Sequence, residues 1–269
     1  SPSYALGLTV GEHARLRRGG ADTPLFEARG GRSFAGDVDA RHVVWQTTRG
    51  RGPAEVSRIA VARLGSRARP RLIGKTGWRW SPVVDGRYLA YNRGAGAAAR
   101  KQIVVTGIDG GRERVVARAV GRRNLLRVAG LGGGTLTYER CTGGASDCFT
   151  YLLPLGAAGA TATRLRPPPR SVGVYSADVA PDGSIFAVAS RRGCGAAARI
   201  VHWVRGEGYE TIATLPPHVD ALDLSVNEVD GSIRLLFTSY DCARRNGDAS
   251  VIVLPARRSP PPAPEQTTP

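Results

Sequence analysis

The residues that could do chemistry in this 269-residue chain are a few carboxylates, four histidines, four cysteines and many arginines. Asp178 and Asp223 stand at matching places in YSADVAPDG and LDLSVNEVDG, and Asp37 and Glu228 lie beside comparable apolar runs. Two carboxylates facing each other could hold a cation or serve as acid and base on a glycosidic bond. The plainer task for such groups is to accept hydrogen bonds from the backbone. His13, His42, His202 and His218 show no metal-ligand spacing. No Gly-x-Ser-x-Gly elbow is present. Gly74-Lys75-Thr76 matches the end of a phosphate-binding loop, but Arg69 stands where that loop needs glycine, and no helical pattern follows. The glycine- and alanine-rich run 94–99 leads into the β-like run 102–106, not into the helix a dinucleotide site requires. No cofactor, no metal and no catalytic residue is therefore expected.

The elements that must position these residues repeat. VDARHVVW, VDGRYLAY, GGGTLTY, PDGSIFAV and VDGSIRLL each place a turn before an apolar run. Their turn residues, Asp39, Asp85, Gly133, Asp182 and Asp230, lie 46 to 49 residues apart. Asp-Gly between two apolar runs marks a hairpin, because the turn needs positive φ. The turn aspartates are therefore assigned to structure. Each repeat holds a strand before the turn (78–81, 222–226), one after it, a Gly/Arg-rich loop, a third strand (57–61, 102–106, 149–153, 199–204, 250–254) and a short fourth (114–117, 211–215). No stretch has a sustained helical period. Four antiparallel strands per repeat of this length predict an all-β fold, a β-propeller of five four-stranded blades. The last repeat lacks a fourth strand, and TPLFEA (23–28) is expected to supply it, closing the ring from the N-terminal end. The extra strand 4–10 leaves six blades, one of them partial, as the alternative. Residues 1–258 form one domain on this reading, and the Pro/Thr-rich residues 259–269 form a disordered tail.

SPVVDGRYLAYNRG with QIVVTGIDGGRERVV, and APDGSIFAVASRRG with RIVHWVRGEGYETIATL, resemble the blades of TolB-like β-propellers. The resemblance covers roughly residues 30–257. The first Asp of that family's later turn is missing, since the second repeat reads Thr106-Gly107-Ile108-Asp109-Gly110-Gly111. The resemblance implies a periplasmic or otherwise extracytoplasmic binding scaffold and names no partner.

No Cys-x-x-Cys pair is present. Cys141 ends a second strand and Cys148 opens the third strand of the same repeat, so a disulfide between them would staple one hairpin. Cys194 and Cys242 occupy the equivalent loop of the next two repeats, and pairing them makes both bridges local. Disulfides require an oxidising compartment. The start Ser1-Pro2-Ser3, without methionine, fits removal of a secretory signal, although an arbitrary chain boundary would look the same. No apolar run is long enough to span a membrane as a helix.

The net charge is +16, and all but two of the 38 basic residues are arginine, Lys75 and Lys101 being the exceptions. A GC-rich coding sequence explains the preference for Arg over Lys but not the size of the surplus. The propeller pattern places one set of loops at one end, carrying Arg49, Arg51, Arg93, Arg100, Lys101, Arg122, Arg123, Arg170, Arg191, Arg192, Arg244 and Arg245. Trp78 and Trp80 flank Arg79 nearby and could stack on a sugar or an aromatic group. Arginine's planar fork suits carboxylate and phosphate. Nucleic acid is not expected as a specific partner, since no recognition helix is evident and aromatics make up 6% of the chain. The expected function is noncatalytic. A monomeric scaffold would bind a protein or an anionic envelope polymer through its Arg-rich top face. A hydrolase or lyase of anionic polysaccharide using Asp178 and Asp223, and a purely structural spacer, are the alternatives.

Overall fold

Among the described residues, turns, bulges and apolar alternation give six sheets, and five of them are the five sequence repeats. The computed structural model describes residues 4–9, 13–18, 21–24, 31–50, 55–75, 77–94, 100–121, 123–142, 148–157, 159–190, 197–229 and 231–255. No helix occurs among them. An N-terminal sheet holds β1 (Tyr4–Thr9), β2 (His13–Arg18) and β3 (Ala21–Pro24). The first blade holds β4 (Arg32–Val38), β5 (His42–Arg49), β6 (Val56–Arg63) and β7 (Arg71–Ile73). The second holds β8 (Trp78–Asp85), β9 (Tyr88–Gly94), β10 (Arg100–Gly107) and β11 (Arg114–Val120). The third holds β12 (Leu125–Gly132), β13 (Thr135–Cys141), β14 (Cys148–Pro154) and β15 (Thr163–Arg164). The fourth holds β16 (Gly173–Val179), β17 (Ile185–Ser190), β18 (Arg199–Val204) and β19 (Gly208–Thr214). The fifth holds β20 (Val219–Val229), β21 (Ser232–Asp241) and β22 (Asn246–Leu254). All strand pairs are antiparallel, as in a five-bladed β-propeller.

Closure at the N-terminal end differs from the expectation. Pro24 and Thr23 pair with Arg15 and Leu16 of β2, not with β22. A strand two residues beyond β2 closes a local hairpin at little entropic cost. Residues 25–28 of the expected outer strand lie outside the described residues, as does the tail 259–269. The N-terminal sheet, whose β1 and β2 lie against β4, corresponds to the partial blade of the alternative reading. Among the described residues the fifth blade has three strands.

Burial follows strand period. Val44, Ile59, Leu89, Tyr91 and Val104 form one apolar layer between the first and second blades. Ile103, Val105, Leu126, Val128, Leu136 and Leu153 form the next layer, between the second and third. Two further layers join the third blade to the fourth and the fourth to the fifth. The hairpin of the third blade shows why its turn is Gly-Gly: Gly133 and Gly134 have φ of 53° and 70°, and a Cβ on Gly133 would come within 2.9 Å of Gly183 Cα.

Cys141 and Cys148 face each other across β13 and β14 and form a disulfide. Cys242 is also disulfide-bonded, and Cys194, its expected partner, lies outside the described residues. In the chain-entropy model a bridge closing so short a loop contributes about 2.5 kcal/mol. A Cys141→Ser/Cys148→Ser variant is therefore expected to unfold at lower urea by roughly that amount, and a reductant should narrow the gap to wild type.

Candidate functional site

Every inner strand of the five blades breaks register at the same height, at Phe34/Asp37, Trp80/Val83, Val128/Gly130, Tyr175/Asp178 and Ala221/Leu224. A bulge re-aims side chains and backbone donors. Two of these bulges carry carboxylates that bond the next blade. Asp37 Oδ1 accepts from Val38 N–H at 2.7 Å, and its Oδ2 accepts from Val84 N–H at 2.9 Å. Asp178 repeats the pattern, with Val179 N–H and Val226 N–H both at 2.8 Å. At Ser81 and Ser176 the bulge adopts φ of 49° and 47°, a conformation side chains rarely take.

Most polar bonds between blades run the same way, from a side chain to the backbone of the following blade. Asp39 accepts from Gly86 N–H, Asp85 from Gly134 N–H, and Asn92 from Val128 N–H. Thr137 and Thr150 donate to Ala177 O and Val174 O. The turn aspartates thus stitch blades as well as shaping turns.

Asp178 and Asp223 do not come together. Asp178 is spent on backbone donors, while the largely exposed Asp223 accepts from Arg127 Nη1 at 3.3 Å. Burial raises Asp37 from 3.8 to about 7, against the pull of its two backbone donors. Burial and then the charge of Asp37 raise Asp178 to about 8. In the unfolded chain both would release their protons near pH 4. The folded protein holds those protons longer, so stability is full below pH 4 and falls as pH rises through 7 to 8. Urea unfolding at pH 5 and pH 9 is expected to show the lower stability at pH 9, and Asp178→Asn should flatten the slope.

Beside these bulges lies a cluster that sequence reasoning missed. Glu139, only 4% exposed, accepts from Ser176 N–H at 2.5 Å and from Arg127 Nη2 and Nε, both at 3.2 Å. Arg127 Nη2 also lies 3.3 Å from Ser176 Oγ, and its Nη1 reaches Asp223. Arg127 thereby links inner strands of the third, fourth and fifth blades. A charged residue on an inner strand opposite an acid one pair along the hairpin (Arg127↔Glu139) was the available signal.

Topology puts the loops of the basic set at one end, opposite the Asp-Gly turns. Arg49, Arg123, Arg244 and Arg245 are exposed there. Arg244 Nε lies 3.6 Å from Asp241, whose carboxyl is held below the usual range by the backbone N–H of Arg244 and further by that of Ala243. Arg170, on the β15–β16 connection, is exposed with φ 63°. Lys101 Nζ donates to Asn124 O at 2.8 Å, joining two loops of this end. Arg93 is drawn away from the rim: it grips Gln102 Oε1 and Glu113. Arg51, Arg122, Arg191 and Arg192 lie outside the described residues, and so does the side chain of Arg100. Trp78 and Trp80 are half-buried. Strand alternation places Arg79 on the other face from both, packed over Gly74, so the three do not form one stacking surface.

In sequence, no protein family and no curated protein matches this chain. In structure it is similar to TolB from Acinetobacter baumannii, at 11% identity and a TM-score of 0.54, covering 96% of this chain and 64% of that one. It is similar also to a TolB from Agrobacterium tumefaciens, at 18% identity and 0.56, covering 88% and 79%. Prolyl oligopeptidase B from Galerina marginata matches at 12% identity and 0.51, over 94% of this chain and 41% of the enzyme. At these identities the likeness is one of fold, and it is shared by proteins of different kinds and lengths. The TolB-like β-propeller resemblance of the sequence is thus present in three dimensions. No helix among the described residues is long and apolar enough to cross a membrane.

Proposed function

From a TolB-like fold with one arginine-rich end, we propose that this protein is a noncatalytic, extracytoplasmic binding scaffold. Its partner is a protein or an anionic envelope component, engaged through the loops that carry Arg49, Arg123, Arg244 and Arg245. The observation that carries this reading is the state of those arginines. Arg49, Arg123 and Arg245 are exposed and have no carboxylate partner among the described residues. Unpaired guanidinium groups grouped at one end attract carboxylate and phosphate. The disulfide between Cys141 and Cys148 favours an oxidising compartment. The hydrolase alternative is weakened because Asp178 serves the backbone and Asp223 serves Arg127.

The test is binding to envelope polymers and envelope protein extracts at about 50 and 200 mM salt, where purely electrostatic contacts weaken steeply. Selective binding that survives the higher salt and drops in Arg49→Ala/Arg123→Ala/Arg244→Ala/Arg245→Ala supports the reading. Equal loss for every polyanion, with the variant shifted only by its charge, overturns it.

A further inference from the structure

We propose that the crevice between the second and third blades, far from the arginine-rich loops, is a binding site for a small organic polyanion. The crevice has a volume of about 700 Å³, and its lining includes Tyr88, Val105, Arg112, Arg114, Arg118 and Leu155. That size suits a small molecule and not a polymer. It exists because the third blade ends early. Its outer strand, β15, has only two residues, and the connection before it consists of small residues such as Ala160 and Ala162. Neighbouring blades diverge outward, so a short outer strand leaves the wedge between them unfilled.

The lining divides into two parts. Val105 and Leu155 supply an apolar floor and belong to the buried layer between the blades. Arg112 and Arg114 are exposed at the rim, and among the described residues neither has a carboxylate partner; Arg118, between Ala117 and Ala119 of the buried layer, lies on the other face of β11. The one acid in the lining, Glu113, is turned away and neutralised. Tyr91 Oη donates to its Oε1 at 2.5 Å, and Arg93 Nη1 binds its Oε2. Arg87 stacks over the Tyr88 ring, 5.0 Å from its centroid. Two free guanidinium groups beside an apolar floor fit a molecule with two acidic groups on a compact carbon body.

Calorimetric titration of the whole chain with citrate and fructose 1,6-bisphosphate, and with glucose as the uncharged control, tests this. Arg112→Ala/Arg114→Ala changes only exposed side chains, and its melting temperature is checked against wild type. The expected result is binding of at least one anion, none of glucose, and an affinity lower by about tenfold or more in the variant, as lost charge-assisted contacts require. Arg244→Ala/Arg245→Ala removes the same charge at the other end and should bind as wild type does. The proposal is overturned if neither anion binds at millimolar concentration, if both variants weaken binding equally, or if the crevice variant binds unchanged. Failure of the loop arginines to bind envelope material would leave these outcomes untouched.

Discussion

Gly130→Ala is expected to destabilise the protein by about 3 kcal/mol, at the upper end for overpacking. Gly130 sits at the bulge of β12, the position taken by Asp37 in the first blade and by Asp178 in the fourth. A methyl group there would overlap Asp178 Oδ1 and come within 2.7 Å of Asp178 Cα. The third blade cannot carry a side chain at this height because the carboxylate of the fourth fills the space. Removing that carboxylate should not rescue the variant, since the Cα clash remains. Urea unfolding of Gly130→Ala and Gly130→Ala/Asp178→Ala measures this. A loss under about 1 kcal/mol in the single variant would mean that the bulge can open without cost.

The second large effect is expected at Glu139. Glu139→Ala removes the acceptor for the buried Ser176 N–H and leaves the half-buried Arg127 with the exposed Asp223 as its charged partner, beside Ser176 Oγ. Breaking one side of a buried pair costs several kcal/mol, because the other charge stays desolvated. About 3 kcal/mol is expected here, and Ser176, held at φ 47°, loses the bond that helps fix it. Glu139→Gln keeps one acceptor for Ser176 and should cost about 1 kcal/mol. Adding Arg127→Met to Glu139→Ala should recover part of the loss, because the charge then left without a partner is the solvated Asp223 and not the half-buried Arg127. If the double variant is as unstable as the sum of the singles, Arg127 and Glu139 are not coupled.

The blades were legible because their signals are local. Asp85-Gly86 and Pro181-Asp182-Gly183 announce turns by residue type, and the apolar runs 102–106 and 199–204 announce strands by composition. The Cys141–Cys148 bridge was legible because both residues flank one loop. What stayed hidden depends on register between strands far apart in sequence. That Asp178 bonds Val226 of the next blade, and does not face Asp223, follows from how neighbouring bulges dock, and no single repeat encodes that. Glu139 was passed over because its partner donor is the backbone of Ser176, which has no sequence signature. The Trp78-Arg79-Trp80 trio was grouped by adjacency, although the two-residue period of a strand already separates Arg79 from the tryptophans.

The one-way bonding between blades gives the chain an order of assembly. Asp37, Asp39, Asp85, Thr137, Glu139 and Asp178 all reach forward to the backbone of the blade after their own. During synthesis each blade leaves the ribosome after the one that will fasten it. At these six positions the newly made inner strand meets polar groups already held in place by the blade before it. Truncation from the C-terminal side should then leave the remaining blades better satisfied than truncation from the N-terminal side, which strips the next inner strand of its fasteners.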